Sequence, residues 1–180
     1  MASLGQRMVG AMQGDVKTFT EIEADPTAIG QAVTVILIAG VAALIGNIFR
    51  YGLMGGILSL IISLLAFALW TFVIVLIGTK VMPEPTTKAD FSEAFRVIGF
   101  TAAPGVFNVL AIIPFLGPLI SFAISIWMLV IGVIAVREVL DYSNTGRAII
   151  VCLIAWVVYL VVTFLVLTPL LVGATLVGPR

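Results

Sequence analysis

Histidine is missing from this 180-residue chain, cysteine occurs once, and only 10% of the residues carry charge. Each scarcity excludes something. Without histidine, the commonest metal and haem ligand and the usual proton shuttle are gone. A lone Cys152 inside an apolar run cannot form an internal disulfide and reads as a small hydrophobe. Soluble domains devote about a quarter of their residues to charge, so this chain falls outside that class. Nine acidic and nine basic residues cancel, which offers nucleic acid no basic surface. The sequence contains no phosphate-cradling loop, no metal-ligand spacing and no paired acid and base, so neither a catalytic centre nor a cofactor is expected. Residues 1–25 hold no continuous apolar core ahead of a small-residue cleavage site, so no cleavable leader is expected there.

What the chain has is apolar length. Hydrophobic residues make up 62% of it and the mean hydropathy is +1.27. A membrane helix needs about 20 predominantly apolar residues, and such runs lie at about 31–49, 52–79, 97–113, 118–136 and 148–172. The reading is an all-α integral membrane protein, a five-transmembrane-helix bundle over residues 26–180. Residues 1–25 precede it as an amphipathic segment. There Leu4, Met8, Met12 and Val16 recur at four-residue spacing, with Gln6, Arg7, Gln13 and Lys17 among the other positions. That pattern predicts an N-terminal helix lying along the cytoplasmic interface. Asp25-Pro26 supplies a cap and an N1 proline for the first span, and Asp90 with Glu93 a capping box for the third.

Basic residues orient the bundle. With the N-terminus cytoplasmic, Arg7, Lys17, Lys80, Lys88, Arg96, Arg137 and Arg147 fall inside, and only Arg50 and Arg180 outside. Positive charge is retained on the cytoplasmic side, so the expectation is N-in and C-out, in a prokaryotic plasma membrane. A four-span alternative, with Val97–Ile113 re-entrant, would move Arg137 and Arg147 outside.

Within lipid, small residues allow helices to approach closely. Gly55, Ser59 and Ser63 form one stripe, Gly117, Ser121 and Ser125 another, and both are expected to be helix-packing faces. Ala39 with Ala43 and Ala42 with Gly46 offer the same on the first span. Pro104 predicts a bend in the third span, with Asn108 and Thr101 satisfying hydrogen bonds around it. No charged residue lies in the middle of a span, which argues against an ion or proton pathway. On the inner side, Glu93, Arg96, Arg137, Glu138 and Asp141 converge if spans three and four form a hairpin. They read as interfacial ion pairs or as a docking surface for a cytoplasmic partner.

Residues 91–147 resemble the Yip-type family, the Ypt/Rab-interacting multi-pass membrane proteins. The likeness rests on Arg96 in the helix start, Gly99, Ala102-Ala103-Pro104, Ile113-Pro114, Leu116-Gly117, Ile126-Trp127 and a charged end before Arg147. Upstream, Asp15, Phe19, Ile22 and Asp25-Pro26 are similar to the lead-in of compact prokaryotic members. The resemblance implies a five-helix bundle with a cytoplasmic N-terminus and brings no catalytic residues. Eukaryotic relatives act in vesicle traffic and contact lipid-modified small GTPases. This chain departs from them in lacking a long polar N-terminal cytoplasmic region, which weakens the case for a GTPase partner.

Two functions follow as expectations. The first is a non-enzymatic scaffold or accessory subunit that contacts membrane lipids and either binds other membrane proteins or a larger complex, or organises the local bilayer. The alternative is a carrier or channel for a small neutral solute or lipid, lined by Asn47, Thr101, Asn108 and the serines.

Overall fold

The amphipathic segment folds as two helices. In the computed structural model, which describes residues 2–162 together with Leu165, α1 runs Leu4–Met12 and α2 Val16–Ala24. Ser3 opens α1 with a capping box: its Oγ accepts from the Gln6 N–H at 3.3 Å, and Gln6 Oε1 accepts from the Ser3 N–H at 2.8 Å. The four-residue spacing is interrupted at Gly14, whose φ of 67° suits the left-handed region open to glycine. Asp15 then caps α2, accepting from the Thr18 N–H at 3.1 Å. A side chain on Gly10 would strike Thr18, so the two helices touch where they turn back. Phe19 and Ile22 are fully buried, and α2 packs against two later helices, Phe91–Phe100 and Gly117–Val139.

The first span is α3, Ala28–Gly46. It starts two residues after Pro26 because the Asp25 carboxylate turns to Thr27, accepting from its N–H at 2.9 Å and its hydroxyl at 2.6 Å. Helix α4, Ile48–Leu76, is interrupted at Gly52 (φ 67°) and ends in a π-turn over Ile77–Val81. Its continuous part, Gly52–Val81, has 30 residues. At 1.5 Å per residue that is about 45 Å, well beyond a hydrocarbon core of about 30 Å. Next come α5, Phe91–Phe100, and a 3-10 helix, Ala103–Ile112, which meet at an angle of 40°. Pro104 lies in the first turn of the second piece, where a missing N–H costs nothing. Helices α6, Gly117–Val139, and α7, Thr145–Val162, complete the chain as described.

The chain is therefore an all-α multi-pass membrane protein. Helices α3, Gly52–Val81, α6 and α7 are each long and apolar enough to cross a membrane, and the bent pair can supply a fifth crossing. The expected fifth span, 148–172, runs past the described residues, and Arg180 also lies outside them.

Close packing between spans centres on α3 and the bent pair. Ala32, Ala39 and Gly46, seven residues apart, face Gly99, Gly105 and Asn108. A Cβ on Gly99 would come within 2.9 Å of the Ala32 Cβ, and one on Gly105 within 2.7 Å of the Ala39 Cβ. A Cβ on Gly46 would run into the Asn108 carbonyl oxygen. Small residues thus let backbones approach as lipid-embedded helices require. The serine stripes lie differently. Ser59 and Ser125 are exposed, while Gly55, Ser63 and Ser121 are half-buried. Ser59 donates to Gly56 O at 2.7 Å, Ser63 to Leu60 O at 2.7 Å and Ser125 to Ser121 O at 2.8 Å. Hydroxyls satisfied by their own helix need no neighbour. The α3–α4 contact runs through Gly56 beneath Leu44 and through Gly40 beneath Leu60, where the Ser63 hydroxyl also lies beside Gly40. Gly117 is buried against the Ala111 backbone.

Candidate docking site at the polar end of the bundle

Two loops that join spans, 82–90 and 140–144, are tied together side chain to backbone. The Tyr142 hydroxyl donates to Met82 O at 2.8 Å and Gly78 O at 3.3 Å, using carbonyls at the end of the π-turn. Thr86 and Thr87 donate to Asp141 O and Leu140 O at 3.0 and 2.9 Å. Glu84 accepts from the Ser143 N–H at 3.1 Å and faces Arg147 at 3.5 Å. That backbone bond, helped by the Ser143 hydroxyl and Arg147, holds the Glu84 carboxyl below the usual carboxylate range. Arg137 donates to Tyr142 O at 3.4 Å and the Thr145 hydroxyl at 3.3 Å.

Of the five charged residues expected to converge, three line one open cleft. Arg137, Glu138 and Asp141 surround about 630 Å³ with Lys88, Thr86 and Tyr142. Glu93 is engaged locally, closing a capping box with Asp90. Arg96 is not on the surface: it is 6% exposed and donates to Glu23 O at 2.6 Å and Ser92 Oγ at 2.9 Å. The end of α2 covers it, and a helix C-terminus is a favourable place for a cation. Arg96 thus ties α5 to the end of α2.

Two residues absent from the expected site prove central to this end. Arg7 is 1% exposed and donates to Glu21 at 2.9 Å, Asp25 at 2.8 Å and Gln31 at 3.0 Å. Its place was visible in the spacing, since it lies three residues after Leu4 and four before Ala11, on the apolar face. Glu23 is the second. Burial first, then Asp141, Glu93 and Glu138, push its carboxyl up to about 7, with Arg96 pulling the other way. No spacing rule flags Glu23, because its neighbours come from α5 and α6. Two residues on, Asp25 goes the opposite way: Thr27 first, then Arg7, hold its carboxyl down at about 2. Among the described residues no group of three or more Cys, Asp or Glu is placed to hold a metal ion.

The polar residues proposed to line a path do not share one. Asn47 donates to Ala43 O at 3.0 Å and borders a cleft at the opposite end with Pro114 and Phe115. Asn108 is half-buried beside Gly46 and Gly105. Thr101 and Ser125 border a separate cavity at span level.

A model of the Yip1 domain matches residues 15–167, from the cap of α2 onward. No curated protein and no solved structure matches the chain. The match takes in α2 and every described span, leaving only α1 and the turn that follows it ahead of the matched region, and on that extent the chain belongs to the Yip1 domain family.

Proposed function

We propose that this protein is a non-enzymatic membrane scaffold or accessory subunit. It binds other membrane proteins, or organises the bilayer around itself, with its polar end in the cytoplasm. The observation that carries this reading is the cleft of Lys88, Arg137, Glu138 and Asp141 on a framework of cross-loop hydrogen bonds. Charges of both signs on a rigid platform favour a partner with a mixed, complementary surface. The seven basic residues expected inside favour the same orientation. A neutral-solute path has less support, since its polar residues are divided among separate places and Thr101, Ser59, Ser63 and Ser125 bond within their own helices.

Purification from the native membrane in mild detergent, with mass spectrometry of what co-purifies, tests the proposal. The expected result is a stoichiometric membrane partner lost on Lys88→Glu with Arg137→Glu. Free monomer alone, together with solute flux in reconstituted vesicles, would overturn it.

A further inference from the structure

A cavity of about 280 Å³ lies at span level, bounded by α4, α5, α6 and α7. Trp70, Met128, Leu129, Trp156 and Tyr159 contribute most of its character, and no charged residue lines it. Trp70 and Tyr159 meet edge to face at 6.3 Å, which fixes the shape of one wall. Of the three hydroxyls on the lining, Thr101 donates to Ile98 O at 2.6 Å and Ser125 to Ser121 O at 2.8 Å, and Tyr159 supplies the third. The remaining walls are apolar or aromatic and suit a hydrocarbon chain better than a strongly polar solute. The volume is about twice that of the ~150 Å³ apolar cavity that stays dry and takes up benzene.

Two features say what enters. Leu129 and Trp156 line the cavity and are also 59% and 53% exposed, so the space is continuous with the outer faces of α6 and α7. In a multi-pass membrane protein those faces meet lipid chains. Gly132 is the other feature: a side chain built there would meet nothing within 4 Å, so glycine keeps the space open.

We propose that the cavity takes an acyl chain of a bilayer lipid, entering sideways past Leu129 and Trp156 while the headgroup stays outside. This holds whether or not the polar cleft binds a partner. The test uses a variant in which Trp70 is the sole tryptophan (Trp127→Phe, Trp156→Phe), reconstituted in phosphatidylcholine vesicles with dibrominated acyl chains. Bromine on an inserted chain quenches Trp70. Gly132→Leu, or Ser125→Leu should the first fail to fold, fills the cavity and relieves that quenching. A Trp127-only protein is the control, quenched equally with and without the filling substitution. Trp70 emission unaffected by brominated chains, quenching unchanged in folded filled variants, or quenching of Trp70 by aqueous iodide instead would each overturn the proposal.

Discussion

The Arg7 guanidinium reaches the end of α2 and the first turn of α3 together, through Glu21, Asp25 and Gln31. Burial opposes its charge, but the two carboxylates outweigh that and raise its pKa. Arg7→Ala removes every one of these bonds and leaves Asp25 covered without its cation. The expected cost is about 2 kcal/mol, in the range for charge-assisted hydrogen bonds, read as a lowered melting temperature in detergent and faster proteolysis near Gln13. Glu23 sets a pH dependence. A carboxyl that holds its proton more tightly when folded stabilises the docked arrangement at low pH. That contribution fades as pH rises from the ordinary value of 4.5 through about 7. Hydrogen exchange over residues 16–24, corrected for intrinsic chemistry, should therefore show protection falling between pH 5 and pH 7.5. Glu23→Gln, which cannot ionise, should flatten that trend. Asp25 has the opposite sign: its contribution is lost only as pH falls from the ordinary 3.8 through about 2, outside that window.

At the scale of elements, the seam between α3 and the bent third span is the most sensitive. Gly105→Val drives a branched side chain into Ala39 and should cost about 1–3 kcal/mol. Ser59→Leu, on an exposed face, should shift stability by less than about 0.5 kcal/mol. Thermal unfolding of both variants in one detergent checks the contrast. The long spans were legible in the sequence because apolar length is itself the signal. The 3-10 character of Ala103–Ile112 was not, since in an almost wholly apolar run periods of 3.0 and 3.6 leave the same trace. Nor could spacing say that Ser59 and Ser125 would bond their own helices. Of the small-residue pairs on the first span, Ala39 and Gly46 were each visible. Their common register with Ala32 emerges only once Gly99 and Gly105 are seen opposite.

For the whole molecule, the orientation predicts that a cysteine introduced at Thr86, after Cys152→Ser, reacts with impermeant maleimide only when the cytoplasmic side is opened. Labelling from outside intact cells would invert the bundle. The cleft was partly legible: Arg137 and Glu138 lie in the last turn of α6 and Asp141 just past its end, so nearness in sequence alone keeps them close. The withdrawal of Arg96 was hidden, because its cover comes from a segment 73 positions earlier. That separation has a consequence for biogenesis. All three partners of Arg7 lie within 24 residues of it, so this clasp is complete once the first span has been made. The Trp127 indole, which donates to Met12 O at 2.9 Å, arrives 115 residues later. Since chains emerge from the ribosome N-terminus first, this clasp can close before α5 and α6, against which α2 packs, have been made.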